Sequence, residues 1–84
     1  MPPRRRSKPR SPEHASLGEA VRRLRLEAGL SQEQLAERAS TDLTQVGGVE
    51  RGVRNPSYTT LLRLAAALET SVGDLTTLAD RLRQ

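Results

Sequence analysis

Apolar residues recur at helical spacing in five short segments between residues 15 and 84, and no segment alternates apolar with polar residues. A spacing of three or four residues marks one face of an α-helix, whereas a half-buried strand repeats every second residue. The chain has 84 residues, which is enough for one domain with a modest core. We therefore predict a compact all-α fold of five helices over residues 15–84.

Capping residues predict where these helices begin and end. Ser and Asp side chains accept the free amide hydrogens of a first helical turn, and Gly favours the turn that follows a helix. The first helix is predicted from Ala15 or Ser16 to Ala28, before Gly29. The predicted N-caps of the other four helices are Ser31, Thr41 or Asp42, Ser57 and Ser71.

The first 14 residues have a different composition from the rest of the chain. They contain four prolines and no large apolar side chain besides Met1. They also carry five cations against one anion, whereas residues 15–84 carry nine of each, so the net charge of +4 lies here. Such a segment cannot bury enough apolar surface to offset its ordering entropy, and we predict that residues 1–14 form a disordered basic arm.

Several function classes are not supported by the residues present. The chain has no cysteine, so disulfides and thiolate metal sites are excluded. No apolar run is long enough to span a membrane. His14 has no ligating or catalytic partner, Tyr58 is expected to pack, and no catalytic constellation can be assembled. We expect a cytoplasmic protein that is not an enzyme and needs no cofactor or metal.

Four short motifs occur in order along the chain. They are Ser31-Gln32, Leu35-Ala36, Glu50-Arg51-Gly52 and Asn55-Pro56-Ser57. With them, residues 30–75 resemble the phage-repressor and Cro class of bacterial helix-turn-helix regulators, the xenobiotic-response-element family. This resemblance implies a sequence-specific DNA-binding repressor or controller whose third helix enters the major groove of double-stranded DNA.

The resemblance also implies which side chains contact DNA. Val46 and Val49 face the core, which turns the opposite side of the third helix outward. The implied contacts are Gln32 to a phosphate, Leu43, Thr44 and Gly48 to base edges, Gln45 as a long polar side chain on the same helix, and Arg51, Arg54 and Asn55 to the DNA backbone. In the family, an ion pair joins the first and third helices, and Arg25 and Glu50 occupy its positions.

The third helix departs from the usual base-reading chemistry. Arg, Gln and Asn form paired hydrogen bonds with base edges, but Leu43 and Thr44 offer a methyl contact and one hydroxyl. We therefore predict few direct contacts to base edges, so that affinity depends mainly on phosphate contacts and on DNA shape. Two alternatives stay open: the surface has lost DNA recognition, or Gly47 and Gly48 let the backbone approach a partner closely.

The remaining expectations concern partners. Arg4, Arg5 and Arg6 either reach DNA phosphates and the minor groove or only keep the chain soluble. A homodimer is expected through the fifth helix, with Leu75, Leu78 and Leu82 at its interface. Any effector would be another protein, since there is no second domain for a small ligand. The alternative functions are a protein–protein interaction module without DNA reading and a non-specific architectural DNA binder.

Overall fold

The computed structural model describes residues 8–84, and these residues form five α-helices with no strand among them. The helices are α1 (Pro12–Glu27), α2 (Gln32–Arg38), α3 (Leu43–Glu50), α4 (Tyr58–Ala67) and α5 (Val72–Arg83). Helix α1 packs against both α3 and α5, while α2 packs against α3 and α4. The predicted all-α fold with five helices is confirmed.

The predicted N-caps of α2 to α5 are confirmed, with Asp42 rather than Thr41 at the start of α3. Ser31, Asp42, Ser57 and Ser71 each accept a hydrogen bond from the backbone amide three residues later. At α2 the capping is reciprocal, because the Gln34 side chain also accepts from the Ser31 amide at 2.8 Å. These caps satisfy first-turn amides that would otherwise lack partners.

Helix α1 begins earlier than its composition predicts. Ser11 is its N-cap, and Pro12 occupies the first turn, where proline's missing N–H costs nothing. Arg10 also donates its backbone N–H to the Gly52 carbonyl at 2.8 Å. The predicted arm boundary at residue 14 is therefore wrong, because the proline that suggested disorder starts a helix. Arg4, Arg5 and Arg6 lie outside the described residues.

The core is built from apolar side chains of all five helices. Its largest fully buried members are Val21, Leu35, Val46, Val49, Leu64 and Leu75. The inward orientation predicted for Val46 and Val49 is therefore confirmed. Helical spacing predicts that Ala28 continues the apolar stripe of α1 and that Leu62 lies on the apolar side of α4, but both residues are exposed, and Ala28 lies beyond the last turn of α1.

Gly18 allows α1 to cross the end of α3 at close range. A β-carbon at this position would overlap the Val49 and Glu50 carbonyl oxygens and would lie 2.7 Å from the Glu50 carbonyl carbon. These are backbone atoms at the end of α3, which cannot move without displacing the helix. The absence of a side chain at residue 18 thus sets how closely α1 supports α3.

The link between α2 and α3 is a tight helix termination. Ser40 adopts a left-handed conformation with φ of 54°, and the Thr41 amide donates to the Ala36 carbonyl at 2.9 Å. This 6→1 bond belongs to the termination usually made with glycine. It ends α2 sharply and lets Asp42 begin α3 only four residues after Arg38.

We predict that Gly18→Ala lowers the free energy of unfolding by about 1–3 kcal/mol, because the added methyl overpacks a backbone contact. Gly73→Ala is the matched control, since its β-carbon would meet only the Ser71 hydroxyl at 3.8 Å. That control should be neutral or up to about 1 kcal/mol more stable. Urea unfolding followed by circular dichroism measures both, and equal stability of the two variants would contradict the close crossing.

Candidate nucleic-acid interface

The outward face of α3 is the opposite side of the helix from Val46 and Val49. Thr44, Gly48 and Arg51 are spaced at i, i+4 and i+7, so they share this face. Leu43 and Thr44, in the first turn, are exposed, and Gln45 is half-buried. The predicted base-reading side chains at the start of α3 are therefore accessible to a partner.

The two glycines on this helix are buried even though they face outward. A β-carbon on Gly47 would lie 3.0 Å from Nη1 of Arg51, and one on Gly48 would overlap Cγ of Arg54. The two arginine side chains therefore cover the glycine pair. The side chain of Arg54 covers the surface at Gly48 in this structure, and the DNA contact expected there stays a prediction.

Gly52 turns the chain so that the following loop returns over α3. Its φ is +76°, a left-handed value that glycine adopts without strain. The Val53 amide donates to the Gly48 carbonyl at 3.0 Å, and the Gly52 amide donates to the Val49 carbonyl at 3.0 Å. This pair of bonds is a Schellman motif. It fixes the direction in which the chain leaves α3 toward Arg54.

Arg25 and Glu50 form an almost fully buried ion pair between α1 and α3. Nε of Arg25 donates to Oε2 of Glu50 at 2.6 Å, and Nη2 donates to Oε1 at 3.0 Å. The third nitrogen, Nη1, donates to the Leu30 carbonyl at 2.9 Å, at the corner between α1 and α2. One guanidinium therefore joins three elements through every one of its nitrogens.

The hydrogen bonds that Arg25 donates to Glu50 raise the pKa of Arg25, and the negative charge of Glu50 adds to this effect, while burial opposes it. The guanidinium stays protonated because its charged form is the one that is bound. The Glu50 side chain is only 3% exposed, so both charges are shielded from water. Breaking one member would leave the other charge buried without compensation.

Gln32 belongs to the same network. Its side-chain Nε2 donates to Oε1 of Glu50 at 2.9 Å, which ties the start of α2 to the end of α3. The resemblance implied only a phosphate contact for Gln32, and no sequence signal linked it to Glu50, 18 residues away. A second N–H of the same amide is left, beside the free backbone amides of the α2 N-terminus.

Asn55 is held by a side chain that had no predicted role. Its Oδ1 lies 3.2 Å from Nε2 of His14, and Nδ1 of His14 lies 2.7 Å from the Ser11 hydroxyl. The chain Ser11–His14–Asn55 thus attaches the loop after α3 to the beginning of α1. Sequence reasoning missed it because the partners are 41 residues apart.

Arg51 and Arg54 provide the free positive charge of this face. Both residues are exposed, and neither guanidinium forms an ion pair within residues 8–84. By contrast, the charge of Arg25 is paired with Glu50 in the protein interior, and this pairing also neutralises the Glu50 carboxylate. Among the residues that the structure describes, the end of α3 therefore presents cations that have no carboxylate partner.

The predicted dimer residues occupy a different environment from the one expected. Leu75 is fully buried in the core, so it cannot lie at an interface, and Leu78 and Leu82 are half-buried against the core. The large apolar side chains that are exposed lie on other helices: Leu26 on α1, Leu43 on α3, and Tyr58 (65% exposed) and Leu62 (46% exposed) on α4. Tyr58 and Leu62 are four residues apart and share one helix face. The expected packing of Tyr58 is therefore wrong.

No helix within the described part of the chain is long and apolar enough to cross a membrane.

We predict that Glu50→Gln lowers the free energy of unfolding by about 3–5 kcal/mol, because it leaves the Arg25 charge buried without a counterion. Glu19→Gln is the control, since Glu19 pairs with Arg22 at 3.6 Å on the surface, and it should cost less than about 1 kcal/mol. The double variant Arg25→Met with Glu50→Met should recover much of the loss. A double-mutant cycle in urea measures the coupling, and additive losses would contradict it.

Comparisons with known proteins agree with this geometry. A helix-turn-helix family model matches residues 21–75. Control protein C.SmaI of Serratia marcescens is 51% identical over 61 residues, which are 73% of each chain. The restriction-modification controller protein C.AhdI from Aeromonas hydrophila is 43% identical, with a TM-score of 0.76 over 77% of this chain and 98% of that chain.

A further solved structure holds DNA. It is the C.Esp1396I controller protein tetramer in complex with its natural 35 base-pair operator. It is 27% identical to this chain, with a TM-score of 0.79 over 87% of this chain and 96% of that chain.

Proposed function

The chain belongs to the helix-turn-helix family, to which controller proteins of restriction–modification systems also belong, and from this premise we propose that it regulates transcription by binding operator DNA with α3. The proposal rests on which parts of α3 are buried and which are exposed. Its inner face is anchored by Val46 and Val49, while its first turn is exposed and its end carries two arginines that form no ion pair within residues 8–84. A helix presented in this way fits the major groove.

The contacts follow from the placement of each side chain. Leu43 and Thr44 would meet base edges, with methyl groups suited to thymine. Gln32 would offer its remaining N–H to a phosphate, together with backbone amides at the start of α2. Arg51 and Arg54 would approach the DNA from the end of α3, and Asn55, held by His14, would follow them along the DNA backbone.

The basic residues that precede α1 would add affinity without sequence preference. Lys8 and Arg10 are exposed, and Arg4 to Arg6 precede them in the chain. Each neutralised phosphate steepens the dependence of affinity on salt by about 0.9 in a log–log plot. Deletion of residues 2–7 tests this contribution while leaving the Arg10–Gly52 bond and the Ser11 cap intact.

A protein with this function acts in the bacterial cytoplasm, because the chromosome lies there. The family is one of DNA-binding regulators rather than of enzymes.

We predict that selection from a random duplex library enriches one sequence motif, and that the chain prefers this motif over a scrambled duplex. Arg51→Ala should weaken binding to both duplexes and lower the salt slope by about 0.9. Arg81→Ala is the charge-matched control, because α5 packs on α1 and α4 rather than on α3, and it should change neither quantity. Fluorescence anisotropy at two salt concentrations measures both.

Two results would overturn the proposed regulator. An absence of binding at low salt would leave the protein-interaction module as the function. Binding of equal strength to every duplex would leave the architectural binder, above all if deletion of residues 2–7 abolished it.

We propose further that the protein is a homodimer joined through α4 rather than through the fifth-helix leucines expected from the sequence. Tyr58 and Leu62 form the exposed apolar face of this helix, whereas Leu75 is buried in the core. A dimer would place two copies of α3 about 34–36 Å apart, which is one turn of DNA.

We predict that Leu62→Glu converts the dimer to monomer, because the charge would be desolvated at the interface. Leu26→Glu is the matched control, since Leu26 is a similarly exposed leucine on α1 at 52%. Sedimentation equilibrium at tens of micromolar protein distinguishes them. A dimer that survives Leu62→Glu but dissociates on Leu26→Glu would contradict the α4 interface.

A further inference from the structure

Asn55, in the loop after α3, carries a side-chain amide whose two ends have opposite hydrogen-bonding chemistry. Oδ1 only accepts and Nδ2 only donates, yet the two ends are nearly identical in shape. Pro56 restricts the backbone of Asn55, but the last torsion of an asparagine side chain has broad minima. An unrestrained amide would therefore present either end to a partner.

His14 removes this ambiguity. Its Nε2 lies 3.2 Å from Oδ1 of Asn55, and because Oδ1 can only accept, Nε2 carries the proton and donates. In a neutral imidazole Nδ1 is then without a proton, so it accepts from the Ser11 hydroxyl at 2.7 Å. The Ser11 oxygen accepts from the His14 amide at 3.0 Å. Side-chain donation thus runs in one direction, from Ser11 through His14 to Asn55.

The imidazole is itself held in place. His14 is half-buried and lines a cleft between α1, the loop after α3, α4 and α5, together with Leu17 and Leu61. The N-cap at Ser11 fixes the first turn of α1, and the backbone bond from Arg10 to the Gly52 carbonyl at 2.8 Å ties that turn to the end of α3. The ring therefore keeps a defined position relative to Asn55.

We propose that His14 is a positioning residue for DNA binding, which holds Oδ1 of Asn55 inward so that both N–H groups of Nδ2 face the duplex. This inference rests on the proposed DNA-binding function. A phosphate oxygen only accepts hydrogen bonds, so it is bound by Nδ2 and repelled by Oδ1. Asn55 is exposed, and Nδ2 has no acceptor within residues 8–84. The first turn of α1 thereby contributes to DNA affinity without touching DNA.

The test is a double-mutant cycle on affinity for the selected duplex, measured at about pH 8, where an ordinary imidazole is neutral. His14→Ala and Asn55→Ala should each weaken binding about 2- to 10-fold. The double variant should bind no more weakly than Asn55→Ala alone, because His14 acts through Asn55. Additive losses would show that His14 acts independently of Asn55.

Two further readouts distinguish positioning from a direct contact. His14→Ala should leave the salt slope unchanged, because the lost bonds involve no cation, whereas loss of an imidazolium–phosphate contact would lower the slope by about 0.9. Nitrogen NMR of the labelled imidazole in the free protein should show the ring proton on Nε2. A ring proton found on Nδ1 alone would contradict the proposed direction of donation.

Thr76→Ala is the matched control. Thr76 lines the same cleft, but its hydroxyl donates only to the Val72 and Gly73 carbonyls within α5. It should change neither the affinity nor the salt slope. Thermal unfolding followed by circular dichroism should show that His14→Ala is folded, because the Ser11 cap remains and alanine is favourable in a helix.

The outcomes separate the two claims. A wild type that binds no duplex overturns the proposed function together with this inference. If the wild type binds its motif, then an unchanged affinity of His14→Ala, additive losses in the cycle or a lowered salt slope overturns this inference alone.

Discussion

The orientation of α3 depends on one buried guanidinium. Arg25 binds both carboxylate oxygens of Glu50 and the Leu30 carbonyl, so α1, the α1–α2 corner and the end of α3 meet at a single group. Gln32 adds the start of α2 through the same carboxylate. Apolar packing of Val46 and Val49 holds α3 against the core, but contacts of this kind have little directional preference. The hydrogen-bonded network supplies the direction, and with it the angle at which α3 would meet a duplex.

The end of α3 is secured from a second side by α1. Gly18 permits the close crossing, Arg10 binds the Gly52 carbonyl, and His14 holds Asn55. These contacts bind a loop that would otherwise be free to sample many conformations. A loop fixed in this way can present Arg54 at a defined place on α3. Preorganisation of this sort lowers the entropy cost of binding.

Most of the fold could be predicted from the sequence because its signals are local. The caps at Ser31, Asp42, Ser57 and Ser71 act within three residues, and the inward valines follow from helical spacing. The start of α1 was missed because Ser11-Pro12 lies in a proline-rich, charged segment whose composition is typical of disorder. Leu62 is exposed and Leu75 is fully buried, against what was expected of them, and both show the limit of periodicity, since a stripe of apolar residues does not say how far the neighbouring helices extend over it.

The site was less predictable, because its decisive contacts join residues distant in sequence. The resemblance indicated the region of α3 and the pairing of Arg25 with Glu50. It could not indicate that Arg54 covers Gly48 or that His14 binds Asn55, since both depend on the path of the loop after Gly52. A glycine within a helix indicates only that no side chain is needed at that position. The structure shows which neighbouring side chain occupies the space, which at Gly48 is that of Arg54.

The central claim is that the outward face of α3 lies in the major groove of DNA, and two-dimensional amide NMR of the labelled protein with its selected duplex tests it most directly. The account predicts that the largest shifts fall on Leu43, Thr44, Gln45, Arg51 and Arg54, while α5 changes little. Shifts concentrated on α5 and the adjoining face of α1, with α3 unchanged, would contradict it.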